Sequence, residues 1–167
     1  MKVKGKEYKS IWSDDNRKIF IIDQTLLPFS FNVKHLNSFK DVLNAISMMQ
    51  VRGAPLIGVT AAFGIYIAMQ KNSSDSSLKD AGNKLISTRP TAINLRWAVE
   101  KIIDKLSSVE NTKRVDMSFQ LAENLAQLDQ KNNQKIGEFG KDLIRNIHNE
   151  KGGVVNILTH CNAGWLA

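Results

Sequence analysis

Apolar positions recur along this chain with two different periods, and the change between them divides it. From residue 7 to 36 the pattern is that of short strands. Tyr8 to Trp12 reads as one, Ser13-Asp14-Asp15-Asn16 as a turn, and Lys18 to Asp23 as a second strand carrying the β-branched Ile19, Ile21 and Ile22. Leu27-Pro28-Phe29-Ser30 turns the chain again, and Phe29 to His35 completes a small antiparallel sheet. From Ser38 onward the period is helical. Ser38 reads as the N-cap of a helix from about Phe39 to Met49 with Val42, Leu43, Ile46 and Met49 on its apolar stripe. After a polar loop from Lys71 to Ser77, a helix spans about Leu78 to Ile86 and is broken by Thr88-Arg89-Pro90-Thr91. Leu95, Ala98, Val99, Ile102, Ile103 and Leu106 then follow the i, i+3, i+4, i+7, i+8, i+11 spacing of one helix face.

A further periodic pattern starts near Asn111-Thr112 and runs through Val115, Phe119, Ala122, Leu125, Ala126, Leu143, Ile144 and Ile147. It crosses the polar patch Asp129 to Lys135, so it is one long helix or two with a break near Gly137 or Gly140. Gly152-Gly153 ends it. Val154 to Thr159 is apolar enough for a strand inside a parallel sheet, His160-Cys161-Asn162-Ala163-Gly164 is a small-residue loop at its C-terminal end, and Trp165-Leu166-Ala167 opens a helix. The expected fold class is α/β: a small antiparallel sheet plus helices in an N-terminal domain, then a long helix leading into the first strand of a truncated Rossmann-like parallel sheet. The expected division is residues 1–112 and 113–167.

One stretch departs from amphipathic patterning. From Ala54 to Met69 no side chain is charged, and Thr60 and Tyr66 are the only polar ones. A helix apolar all round is buried all round, and 16 residues fall short of the roughly 20 that span a bilayer. Immediately before it stand Gln50-Val51-Arg52-Gly53. The mouth of a helix offers unpaired N–H groups and partial positive charge, Arg52 adds a guanidinium, and Gly53 lets a ligand approach the backbone. Read that way, the junction binds phosphate. Read the other way, Gly58, Ala61, Ala62 and Gly64 serve close helix packing and Arg52 is a surface charge.

Composition narrows the classes. With 43% hydrophobic and 23% charged residues the chain is globular. A net charge of +7 admits nucleic acid as a partner, but the basic residues are scattered and lack interleaved aromatics, so no nucleic acid is expected and an anionic small molecule fits as well. No membrane association is expected. A single cysteine, Cys161, allows no intrachain disulfide and fits a reducing compartment, and the N-terminus lacks the apolar core of a signal peptide. The expected location is the cytoplasm.

Two further residues bear on chemistry. Arg89 lies in Thr88-Arg89-Pro90-Thr91-Ala92-Ile93-Asn94-Leu95, at the entry to the regular helix that follows, where Thr91 or Asn94 equally serve as plain caps. Cys161 follows the last strand and precedes a helix start, the position where a thiol pKa falls; its bland reading is a small buried hydrophobe. The three histidines and one cysteine have no metal-ligand spacing, and no metal or cofactor is expected.

Three stretches taken together, Met49 to Pro55, Arg89 to Leu95 and Ile157 to Gly164, resemble the methylthioribose-1-phosphate isomerases of methionine salvage, and Ile19 to Pro28 resembles that family's opening. The resemblance implies an aldose 1-phosphate to ketose 1-phosphate isomerase without metal or cofactor. Its substrate would be a phosphorylated pentose held by Arg52, Gly53, Ala54 and Arg89, with Cys161 as the catalytic cysteine. It also implies a homodimeric parent. The superfamily includes ribose-1,5-bisphosphate isomerases and the regulatory subunits of the translation-initiation guanine-nucleotide exchange factor, so a non-catalytic regulatory subunit is the alternative. The family's acid, an aspartate, falls beyond Ala167. The 167-residue chain alone is therefore expected to be inactive, and turnover of methylthioribose 1-phosphate by the purified chain would overturn that expectation.

Overall fold

The computed structural model describes residues 2–160 together with Gly164 and Leu166. Two antiparallel sheets stand at the start. The strands β1 (Lys2–Val3) and β2 (Lys6–Glu7) form a hairpin that the alternation did not reveal, being only two residues long each. The strands β3 (Ile11–Ser13), β4 (Ile19–Ile22) and β5 (Val33–Leu36) form the expected three-stranded sheet in the order β3-β4-β5. Their register pairs Ile11 with Ile21 and Ile19 with Leu36, so these side chains share the buried face. Trp12, Phe20 and His35 form the row on the other face, stacked ring on ring.

Five helices follow: α1 (Phe39–Ser47), α2 (Ala54–Lys71), α3 (Asp75–Thr88), α4 (Ile93–Ser107) and α5 (Arg114–Lys151). Local chemistry sets several boundaries. Ser38 and Asp41 make a reciprocal capping box at α1, and Ser74 caps α3 by accepting from the Ser77 N–H. Gly152, at φ +67°, stops α5 and donates its N–H to the His148 carbonyl. The pattern that left one helix or two open resolves as one helix of 38 residues, with Gly137 and Gly140 inside it and no neighbour within 4 Å of where their Cβ atoms would lie.

The helix α2 is the axis of the core. Its Ile57, Ala61, Phe63, Ile65 and Tyr66 are buried among residues of the sheet and of α1, α3, α4 and the first turns of α5. It is long and apolar enough to cross a membrane by composition, yet it is largely covered by its own bundle. Gly58 faces α4 so closely that a Cβ there would meet the Asn94 carbonyl oxygen at 3.0 Å and the Ala98 Cβ at 3.3 Å. At the far end, the buried Arg114 donates from Nε to the Leu106 and Val109 carbonyls and from Nη1 to that of Ser73, and pairs with Asp75. Leu106 ends α4 and Ser73 follows α2, so the two helices run parallel, with their C-terminal ends gathered by one guanidinium.

The strand expected at Val154–Thr159 is not formed. These residues are largely solvent-exposed, Leu158 by 98%, and pair with no strand among the described residues. A parallel strand takes its hydrogen bonds from neighbours, and apolar character alone supplies none. The described residues thus bear out the antiparallel sheet and the helices but show no parallel sheet.

Arg114 satisfies three carbonyls at once, a task that the point charge of lysine does not reproduce. Arg114→Met is expected to leave them unpaired and to lower stability by about 2–5 kcal/mol. Arg114→Lys should recover only part of that loss, as read from urea unfolding midpoints.

Candidate functional site

The site begins at the turn between α1 and α2. The N–H groups of Gln50 and Val51 both reach the Ala45 carbonyl, Met49 adopts φ +57°, and Val51 is fully buried. Gly53 is the N-cap of α2 at φ +99°, ψ 132°, a conformation that a side chain would strain, and its carbonyl accepts from the Ile57 N–H at 3.0 Å. Arg52 is held between these fixed points with its side chain exposed. Ala54 is the first helical residue and Pro55 the second, one place later than the preferred position for proline.

The second element is the turn from α3 to α4. Arg89 ends α3, is half-buried, and accepts the Ala92 N–H on its carbonyl at 3.0 Å. The N-cap of α4 is Ala92, so neither Thr91 nor Asn94 caps the helix with its side chain. The helices α2 and α4 both begin without a side-chain cap, unlike α1 and α3. Because α2 and α4 are parallel and touch at Gly58 and Asn94, their two uncapped, electropositive N-terminal ends lie at one end of the bundle.

The arginines there are set apart by what they lack. Arg17 pairs with Asp116, Arg96 with Glu100, Arg114 with Asp75 and Arg145 with Asp142. The two remaining arginines of the chain are Arg52 and Arg89, and among the described residues neither has a carboxylate partner. Two guanidinium groups without counter-charges beside two positive helix ends form a region that attracts an anion.

Two adjoining cavities open beside these ends. One, of about 360 Å³, lies between Pro55 and Gly58 on α2, Asn94 and Trp97 on α4, and Leu128 and Asp129 on α5. The other, of about 450 Å³, lies between β3, α2 and α5 and includes Lys9, Trp12, Glu123, Asp129 and Gly164. Val59 and Asp129 belong to both. Burial pushes the Asp129 carboxyl above its ordinary value, and a hydrogen bond from Asn133 Nδ2 at 3.1 Å to Oδ1 partly offsets this. Sequence reading passed over Asp129 as part of a polar patch; the signal was its place one residue after Leu128, where α5 turns its polar and apolar edges into a groove. No group of three or more His, Cys, Asp or Glu side chains suited to a metal occurs among the described residues. Arg52, Gly53, Ala54 and Arg89 are not among the residues that line either cavity, the two arginines being placed only in the turns that precede the adjacent helices α2 and α4, and Cys161 lies outside the described residues.

Comparison with known proteins gives this geometry a lineage. Residues 50–167 match the Initiation factor 2 subunit family. Over its whole length the chain is 49% identical to a methylthioribose-1-phosphate isomerase of Escherichia coli O45:K1 and 47% identical to one of Gluconobacter oxydans, covering 46% of each. Among solved structures, 5-methylthioribose 1-phosphate isomerase from Pyrococcus horikoshii OT3 superposes with a TM-score of 0.80 at 31% identity, over 96% of this chain and 45% of that one. The delta subunit of translation initiation factor eIF-2B from A. fulgidus superposes with a TM-score of 0.74 at 33% identity, over 82% and 42% respectively. The chain spans a little under half the length of the curated relatives it matches. It belongs to the Initiation factor 2 subunit family.

The raised Asp129 pKa fixes a sign. An acid whose folded-state pKa exceeds its unfolded value destabilises the fold when ionised, with no penalty below the unfolded pKa and the full penalty above the folded one. Asp129→Asn is expected to raise the melting temperature at pH 7, and the gain should fade as pH falls through the raised folded-state pKa and be absent below about 4. Thermal melts across that range check it.

Proposed function

We propose that this member of the Initiation factor 2 subunit family forms the phosphate-binding part of a methylthioribose-1-phosphate isomerase. The observation that carries the reading is that Arg52 and Arg89, in the turns before the adjacent N-terminal ends of α2 and α4, pair with no carboxylate among the described residues. The whole-length identity to named isomerases supports the substrate class.

On this reading the substrate's phosphate sits against the N–H groups at Gly53 and Ala54, between the Arg52 and Arg89 guanidinium groups. The phosphate on C1 blocks simple opening of the sugar to a free aldehyde. An acid must therefore protonate the ring oxygen as the ring C1–O bond breaks, leaving an electron-poor C1 still bonded to the phosphate oxygen. A hydride then passes from C2 to C1, carrying its bonding pair to the electron-poor carbon, while the C2 hydroxyl gives up its proton and becomes a carbonyl. Arginines holding the phosphate throughout keep C1 in place. Cys161 assists the hydrogen transfer or stabilises the charge that develops, alongside the acid. Asp129 offers an acceptor to sugar hydroxyls. Residues 113–167 serve on this view as a connecting helix and the start of a second domain. The exposed apolar positions Ile136, Phe139 and Leu143 on α5 support that division.

The similarity to the eIF-2B delta subunit favours a second reading, a regulatory subunit without catalysis. Calorimetry with methylthioribose 1-phosphate and with a guanine nucleotide separates them. Binding of the sugar phosphate should weaken at least tenfold in Arg52→Ala and in Arg89→Ala, since a charge-assisted hydrogen bond is worth about 1.5–3 kcal/mol. Arg96→Ala, already paired with Glu100, should stay within twofold of the unaltered chain. Equal affinity in all three variants, or binding of the nucleotide alone, would overturn the isomerase reading.

A further inference from the structure

The cavity of about 360 Å³ between α2, α4 and α5 is walled mostly by apolar side chains that the chain leaves uncovered. Ile93 and Trp97 stand four residues apart on α4, and Leu125 and Leu128 three apart on α5, so each pair shares a helix face. Ile93 is 81% exposed, Trp97 47% and Leu128 44%. Single exposed apolar residues scattered over a surface need no explanation, but several gathered around one concave space mark a binding site. The charge of the lining is equally informative. Among the described residues no lysine, arginine or histidine lines this cavity, and Asp129 is its one ionisable group. Lys101 Nζ stands over the Trp97 ring at 4.8 Å without lining the cavity, and this cation–π contact holds the indole in place.

Its position indicates the occupant. Pro55 and Gly58 border it from α2, and Ile93 and Asn94 from α4, so it opens beside the first turns of the two helices whose uncapped N-terminal ends favour an anion. Gly58 lies five residues beyond the Gly53 N-cap, about 7.5 Å along the axis at the helical rise of about 1.5 Å per residue. A pentose ring holds a C1 phosphate and a C5 substituent roughly 6–8 Å apart, by ordinary bond lengths. A sugar with its phosphate at the helix ends therefore reaches this cavity with its C5 arm.

We propose that this cavity selects the C5 substituent of the sugar: it takes an uncharged apolar group such as methylthio against Trp97 and turns away a second phosphate. This rests on the isomerase reading above, which supplies the C1 phosphate and its place at the helix ends. A thioether sulfur is polarizable and packs favourably against an aromatic ring. A phosphate in the same space would lose its water, find no cation in the lining and meet the Asp129 carboxylate. Trp97 is thus a specificity residue, and the uncharged Leu128 keeps the space free of positive charge.

Calorimetry on the chain with three sugars tests this: methylthioribose 1-phosphate, ribose 1-phosphate and ribose 1,5-bisphosphate. One methylene in an apolar pocket is worth roughly 10–200-fold, so the methylthio sugar is expected to bind at least tenfold more tightly than either of the others. Trp97→Ala should weaken it at least fivefold and leave ribose 1-phosphate within twofold, whereas loss of a merely structural contact would weaken both alike. Leu128→Lys, at a second exposed position, should tighten ribose 1,5-bisphosphate at least fivefold. Circular-dichroism melts identify the variants that fold. Equal affinity for the three sugars in the unaltered chain overturns the cavity's role and leaves the isomerase reading standing. A preference unchanged in the folded variants, or affinity lost alike for both monophosphates in Trp97→Ala, also overturns it. Binding of none of the three sugars overturns the isomerase reading and this proposal with it.

Discussion

The parallel alignment of α2 and α4 is the constraint on which the rest depends. Two parallel helix dipoles side by side repel, and the arrangement persists because each end is dealt with separately. At the C-terminal ends the buried Arg114 collects the carbonyls of Ser73, Leu106 and Val109 and supplies positive charge where the dipoles are negative. Near the N-terminal ends, Gly58 lets the Asn94 backbone approach so closely that a Cβ would meet its carbonyl oxygen at 3.0 Å. No carboxylate caps either mouth. Arg52 and Arg89, in the turns that precede these two ends, pair with no carboxylate among the described residues.

Packing is organised around α2 itself. Its apolar surface is buried from Leu56 onward by the sheet on one side and by α1, α3, α4 and α5 on the others. A binding group built on such an element keeps its geometry better than one on a free loop. The turn before it is held by the Ala45 carbonyl, by the hydrogen bonds of the Gln50 side chain to Asp23 and Lys34, and by the fully buried Val51. At this junction the Arg52 side chain is exposed.

The extremes of α5 illustrate two behaviours of one helix. Its first turns place Phe119 against Phe63 and Tyr66, and Ala122 is fully buried. Beyond Asp129 the helix runs through solvent, with Ile136 and Phe139 about 70% exposed. The sequence pattern is continuous across both, because periodicity reports which face is apolar and is blind to whether anything covers it. The same limit explains Val154 to Thr159: an apolar run has the composition of a strand, but pairing is a property of neighbours.

From sequence alone, the three-stranded sheet, all five helices, the burial of α2 and the turns at Arg52 and Arg89 were legible, since each is written in local spacing, caps and the charge-free run from Ala54 to Met69. The β1–β2 hairpin was not, being too short to show a period. Local spacing also could not say that α2 and α4 are parallel and adjacent, that four of six arginines are neutralised by carboxylates while Arg52 and Arg89 have no such partner among the described residues, or that Asp129 borders both cavities. Those facts join residues tens of positions apart, and only the folded chain, where packing and Coulomb energies act across space, decides them.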